Sequence, residues 1–234
     1  MWRVVYEGDK IAAYWSNKRK GVYTLLKEPY CLKCACPGTL TAKCGWHWDD
    51  YGFERIYAMG AYLKRSLRQN KEDVLSDHIV GLKQYPNYGT PLGLALVECV
   101  RQQYSELMKS DLIVPIPLFA TEMKVAKAPS GVTYNQSVVL SNVVGSNIGI
   151  SVEEVVIKTR EQKMKGLGRS ERKAAVKGLY RVKEAAAVGG KSILLIDDVS
   201  TSGATVSECS QILLDAEARM VNVLVAGRNT DTRI

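Results

Sequence analysis

The stretch Ile193-Leu-Leu-Ile-Asp-Asp-Val-Ser-Thr-Ser-Gly-Ala-Thr205 runs an apolar segment into two adjacent acids and then into small hydroxyl residues around a glycine. Gly203 lets the backbone turn tightly, and Ser200, Thr201, Ser202 and Thr205 supply hydroxyl donors. A helix beginning near Ala204 to Val206 would aim its free N–H groups and positive dipole end at the same spot. Those parts make a monophosphate site. Asp197 and Asp198 add two carboxylates, suited to ligand hydroxyls or a metal. Successive strand residues point to opposite sides, so the two acids should have different partners.

Competing nucleotide motifs can be tested on the letters. The chain has no G-x-x-x-x-G-K-[ST] and no G-x-G-x-x-G after a strand. A receiver domain also opens with strand-borne acids, but of 234 residues only 36 follow position 198, too few for its further strand and helix units.

Charge adds a second feature. The net charge is +8, and residues 158 to 183 hold ten Lys and Arg against two Glu, so this one segment carries the whole excess. Such concentration suits a local anionic ligand at least as well as a DNA-coating surface; its bland alternative is a solvated loop and helix.

A third feature is the N-terminal cysteine cluster. Four of six cysteines fall between positions 31 and 44, and the pairs Cys31-x2-Cys34 and Cys44-x2-His47 are separated by nine residues. Zinc takes four tetrahedral ligands, and two such pairs can close a site. Cys36 could replace Cys34 or His47. With no open coordination position implied, the expected role is structural Zn2+ in a module too small for a core of its own; a group of reduced, metal-free thiols is the alternative. Cys99 and Cys209 lie alone in apolar helical patterns and read as buried thiols.

The elements that must position these groups follow from periodicity. Residues 1 to 30 alternate apolar and polar around Glu7-Gly8-Asp9, as a hairpin does. From Tyr51 to Ser110 the pattern is helical, clearest in LGLALVECVRQQYSELMKS. DLIVPIPL is an apolar run that Pro115 and Pro117 must end. YNQSVVLSNVVGSNIG predicts a helix, VEEVVIKT and KSILLIDD strands, VSECSQILLDAEAR a helix and VNVLVAGR a last strand. Alternating strands and helices rich in Val, Ile and Leu imply an α/β fold, a parallel sheet covered on both faces. In such sheets ligands sit beyond the carboxyl ends of strands, where the acids fall. The expected division is residues 1–52 for the hairpin and cysteine-rich zinc-ribbon module and 53–234 for the α/β domain. No apolar run reaches the roughly 18 residues of a membrane span, and the start lacks a secretory signal, so a cytoplasmic protein is expected.

ILLIDDVSTSGAT resembles the phosphoribosyl pyrophosphate motif of type I phosphoribosyltransferases. The wider similarity is to the competence protein ComF family of that superfamily. It takes in the cysteine-rich module, LSDHIVGLKQYPNYG, DLIVPIPL, Tyr134-Asn135-Gln136 and the basic stretch with Gln162, Arg172, Val176, Gly178 and Tyr180. The resemblance implies a type I phosphoribosyltransferase-like parallel sheet flanked by helices, with Asp197 and Asp198 at the ribose hydroxyls, with or without Mg2+. It implies a 5-phosphate gripped by Thr201, Ser202, Gly203, Ala204 and Thr205, with Val199 and Ser200 among the residues that bind phosphoribosyl pyrophosphate. The stretch Pro115 to Phe119, with Pro115, Ile116 and Pro117 as its candidate contacts, resembles the pyrophosphate loop. The basic segment from Lys158 to Lys173 resembles the mobile loop that closes over it, with Lys158, Arg160, Lys163 and Arg169, and Arg172 next, as the implied pyrophosphate ligands.

The chain departs from the family at 128 to 136, where Ala-Pro-Ser-Gly-Val-Thr-Tyr-Asn-Gln replaces an arginine-rich stretch, leaving Lys124 or Lys127 as stand-ins, and at Ala175, where the family tends to have Asn. The implied activity is phosphoribosyl transfer from phosphoribosyl pyrophosphate to an unidentified nucleobase-like acceptor. The alternative is a non-catalytic accessory protein that binds DNA or phosphoribosyl groups during DNA uptake, partnered by DNA or the competence machinery. A homo-oligomer is a further expectation.

Overall fold

The computed structural model describes residues 52–62, 74–126, 131–164 and 166–229, apart from the side chains of Ala61 and Arg169, together with the backbone of three N-terminal strands. Those strands, β1 (Trp2–Glu7), β2 (Lys10–Ser16) and β3 (Gly21–Thr24), form an antiparallel sheet in that order. Glu7 pairs with Lys10, so the expected hairpin is present and a third strand extends it. Cys31, Cys34, Cys36, Cys44 and His47 lie outside the described residues, and with them the zinc expectation.

The main body is built on a parallel four-stranded sheet. In chain order it contains β4 (Arg55–Tyr62), α1 (Val74–Leu82), α2 (Gly89–Gln102), β5 (Leu112–Pro115), β6 (Lys124–Val125), β7 (Thr133–Tyr134) and α3 (Gln136–Ile148). These are followed by β8 (Val156–Lys158), α4 (Arg169–Val176), β9 (Tyr180–Val182), β10 (Ser192–Ser200), α5 (Ala204–Asp215) and β11 (Met220–Asn229). The sheet runs β4-β11-β10-β5 with every pair parallel. Ile193, Leu194, Leu195 and Ile196 are all fully buried. Because they alternate between faces, the sheet is covered on both, which explains a continuous apolar run in place of an alternating one. Helices α2 and α3 pack together, as do α4 and α5.

Two expectations are corrected. Residues 51 to 110 are not helical throughout, since Arg55–Tyr62 is an edge strand of the main sheet. Its residues Ile56 to Met59 are buried without a break, a pattern that a helix and a doubly covered strand share. VEEVVIKT is not one continuous strand: Val152 makes a lone parallel bridge to Ile113 of β5, and the regular strand is the short β8, paired antiparallel to β9 outside the main sheet. Cys99 and Cys209 are buried free thiols as expected, and His78 is buried with its ring edge-on to Tyr88. No helix among the described residues is long and apolar enough to cross a membrane.

Candidate functional site

The site begins where β5 leaves the sheet. β10 pairs with β5 only as far as Ile196 opposite Pro115, but with β11 as far as Ser200 opposite Arg228. Pro115 ends the ladder, and the Ile116 N–H makes a last bond to the Ile196 carbonyl at 3.0 Å. Asp197 and Asp198 are the first residues past that point. On the other side, the buried Arg228 donates through Nη1 to the Ser200 carbonyl at 2.8 Å and holds the strand's end in place.

The two acids have different partners. Asp197 Oδ1 accepts from the Ser137 hydroxyl at 2.9 Å, and Asp198 Oδ2 lies 3.3 Å from the Lys83 ammonium. Each acid also accepts from the next backbone amide, Asp198 N to Asp197 Oδ1 at 2.9 Å and Val199 N to Asp198 Oδ1 at 2.8 Å. Burial, reinforced by the neighbouring Asp198 charge, pushes the Asp197 carboxyl up to about 8, against the pull of its two hydrogen bonds and Lys83. Lys83 moves in the complementary sense: the Asp198 charge raises its pKa against desolvation.

Ser137 is placed by the cap of α3. Asn135 has extended backbone and its Oδ1 accepts from the Ser137 N–H at 2.9 Å, an N-cap bond. Asn135 Nδ2 donates to the Ile116 carbonyl at 2.8 Å. One asparagine therefore fixes both the helix start beneath Asp197 and the chain leaving β5.

Beyond the acids, Thr201, Ser202 and Gly203 turn the chain into α5. Gly203 has φ 83°, a left-handed conformation that a side chain would oppose. The Ala204 N–H meets the Ser202 hydroxyl at 3.3 Å. A cavity of about 80 Å³ opens here, walled by Asp197, the continuous run Val199 to Val206, Met164 and Arg172. Arg172 on α4 spends its Nε on the Leu167 carbonyl at 2.9 Å, which aims the guanidinium while leaving other N–H groups for an anion. Tyr180 stands buried behind the loop, hydrogen-bonded to Thr205, its phenol pKa raised chiefly by burial.

The other candidate residues are distributed differently. Lys158 is nearly buried and clamped by Glu122, at 2.6 Å from Oε1 and 2.7 Å from Oε2. Glu122 Oε2 also accepts from the Phe119 N–H at 3.0 Å, and Thr121 Oγ1 donates to Glu161 at 2.9 Å. The chain after Pro117 is thereby tied to the start of the basic segment. Arg160 and Lys163 are exposed, Arg169 opens α4, and Pro115, Ile116 and Pro117 flank the acids without lining the cavity. Sequence alone does not single out Ser137, Lys83 or Glu122. Ser137 follows Tyr134-Asn135-Gln136 directly, the position an N-capping asparagine would place in a first helical turn. Lys83 falls within LSDHIVGLKQYPNYG, but neither it nor Glu122 carries a signal of its own beyond its charge. Among the described residues, no group of three or more His, Cys, Asp and Glu could hold a metal.

No family model matches the chain, and no curated protein matches it. Among solved structures it is similar to the glutamine phosphoribosylpyrophosphate amidotransferase from B. subtilis complexed with ADP and GMP, at 18% identity and TM-score 0.39, over 59% of this chain and 26% of that one. A phosphoribosylpyrophosphate synthetase from Mycobacterium smegmatis matches at 16% identity and TM-score 0.36, over 60% of this chain and 34% of that one. A purine phosphoribosyltransferase from Pyrococcus horikoshii matches at 16% identity and TM-score 0.33, over 60% of this chain and 82% of that one. The chain thus spans about a quarter of the amidotransferase it matches. A shared activity does not follow at these identities and TM-scores.

Proposed function

We propose that the chain binds phosphoribosyl pyrophosphate and transfers its phosphoribosyl group to a nucleobase-like acceptor, in the manner of the ComF family it resembles. The observation that carries this is the acid pair at the end of β10, continuous with a cavity walled by the hydroxyl loop and the start of α5. A 5-phosphate fits the backbone donors and hydroxyls of residues 201 to 205. Ribose hydroxyls fit beside Asp197, whose Oδ2 receives no hydrogen bond among the described residues.

Breaking the bond from C1 to pyrophosphate builds positive charge on the ribose and negative charge on the leaving group. Asp198, and Asp197 once it has released its proton, stabilise the first and Arg172 the second, each where the charge develops. Met164 lines one side of the cavity, where its apolar side chain would limit competing water. Mg2+ held through the oxygens of the ligand itself would offset leaving-group charge. Structural Zn2+ on Cys31, Cys34, Cys44 and His47, with Cys36 in place of Cys34 or His47 as the alternative, completes the proposal, and metal analysis of protein purified without added zinc measures it.

A second reading, an accessory protein of DNA uptake, draws on the exposed cations Arg160, Lys163, Lys173, Lys177, Arg181 and Lys183. One calorimetric series separates the two. Wild type should bind phosphoribosyl pyrophosphate with Mg2+, and Asp197→Asn and Asp198→Asn should each weaken it at least tenfold. Equal affinity in all three removes the acid pair from the site. Absence of phosphoribosyl pyrophosphate binding, with oligonucleotide affinity that falls steeply with salt, favours the second reading.

A further inference from the structure

The Lys83 ammonium occupies the place beside Asp198 where a cation bound to the acids would sit, 3.3 Å from Oδ2. The remaining oxygens are heavily committed. Asp197 Oδ1 accepts from both Ser137 and the Asp198 amide, which uses its two lone pairs, and Asp198 Oδ1 accepts from the Val199 amide. Among the described residues only Asp197 Oδ2 has no donor. Mg2+ demands near-octahedral oxygen ligation, and this pair offers little of it without first releasing its own donors. A divalent ion there would also stand close to an ammonium, a repulsive contact in a partly desolvated site.

Lys83 is held there by the same short segment that holds Asp197. Its chain position is the first after α1, and the preceding carbonyl, Leu82, accepts from the buried Tyr134 hydroxyl at 2.6 Å. Three residues after Tyr134, Ser137 bonds Asp197. The Tyr85 N–H returns to the Gly81 carbonyl at 2.8 Å, closing the turn around Lys83. Residues 134 to 137 therefore set the lysine and the acids in register with each other.

We propose that Lys83 is the resident counter-cation of the acid pair, so that the phosphoribosyl ligand is received there without a divalent ion seated on Asp198. This rests on the ligand class proposed above, but the lysine's part can be measured without that ligand. Lys83 acts through Asp198 and is a positioning residue.

Mn2+ binding followed by electron paramagnetic resonance, in the absence of nucleotide, reads it directly. Lys83→Met should bind Mn2+ at least tenfold more tightly than wild type, adding Asp198→Asn should abolish the gain, and Lys83→Arg should behave as wild type. Should Lys83→Met fail to fold by far-UV circular dichroism, Lys83→Gln takes its place. Mn2+ affinities within twofold for wild type and the neutral variant overturn the proposal.

In a second arm, phosphoribosyl pyrophosphate is titrated with Mg2+ and with EDTA. The loss of affinity on removing Mg2+ should be at least tenfold greater in the neutral variant than in wild type, and an equal loss again overturns the proposal. If no form binds phosphoribosyl pyrophosphate while the Mn2+ gain persists, the ligand assignment falls and the counter-cation role stands.

Discussion

Replacing Asp197 by Asn should remove a pH dependence of stability that originates at this site. The folded chain holds the Asp197 proton up to about pH 8, whereas the ordinary value is 3.8. Folding thus takes up a proton between those limits, and stability must fall as pH rises through the window. The ceiling is about 1.4 kcal/mol per pH unit. Because the carboxyl retains some contact with solvent, we expect about 2 kcal/mol lost between pH 5 and 8, short of that ceiling. The amide introduced by Asp197→Asn has nearly the same shape as the carboxyl, and its oxygen can still accept from Ser137 and the Asp198 amide, but it does not ionise. Urea unfolding followed by far-UV circular dichroism, at half-unit steps from pH 5 to 8.5 without divalent ions, should show the variant gaining on wild type by about 2 kcal/mol as pH rises. A gap between the two that stays constant across the series would mean that Asp197 ionises as an ordinary carboxylate and that burial does not govern it.

Glu122→Ala strands the Lys158 ammonium, whose side chain is only 6% exposed, and should cost about 3 kcal/mol in urea unfolding. A loss under about 1 kcal/mol would show that the pair contributes little to holding the β5 exit against the basic segment. Gly203→Ala forces a side chain into the left-handed region at φ 83°. It should lower stability by about 1 kcal/mol and weaken phosphoribosyl pyrophosphate binding by calorimetry; unchanged affinity would mean that the loop's turn does not shape the cradle.

What the sequence displays best is what depends on local pattern. The strand Ile193 to Ile196, the hydroxyl loop and the start of α5 at Ala204 are continuous in the chain, and their chemistry follows from neighbouring side chains. Arg55–Tyr62 is harder because Ile56 to Met59 are buried on both faces, which erases the alternation that marks a strand. The partners of the acids are harder still. Ser137 lies 60 positions from Asp197, and Lys83 reaches Asp198 only because β10 and the end of α1 converge. The basic segment divides for a similar reason: Lys158 and Arg172 belong to one charge-rich run, yet one is clamped by Glu122 while the other walls the cavity. A count of charges cannot separate a buried pair from a ligand-facing cation.

The early departure of β5 at Pro115 also bears on how this molecule avoids sticking to itself. Past Ile196 the strand β10 projects beyond its β5 neighbour, and projecting strands invite a second chain to dock. The Ile196 carbonyl still faces β5, so the Asp198 amide two residues on faces the same uncovered side, and it is bonded to the Asp197 carboxyl from within the strand. One side chain thus occupies the first uncovered donor of the projecting end, leaving the end of the sheet open to a small molecule but less inviting to another backbone.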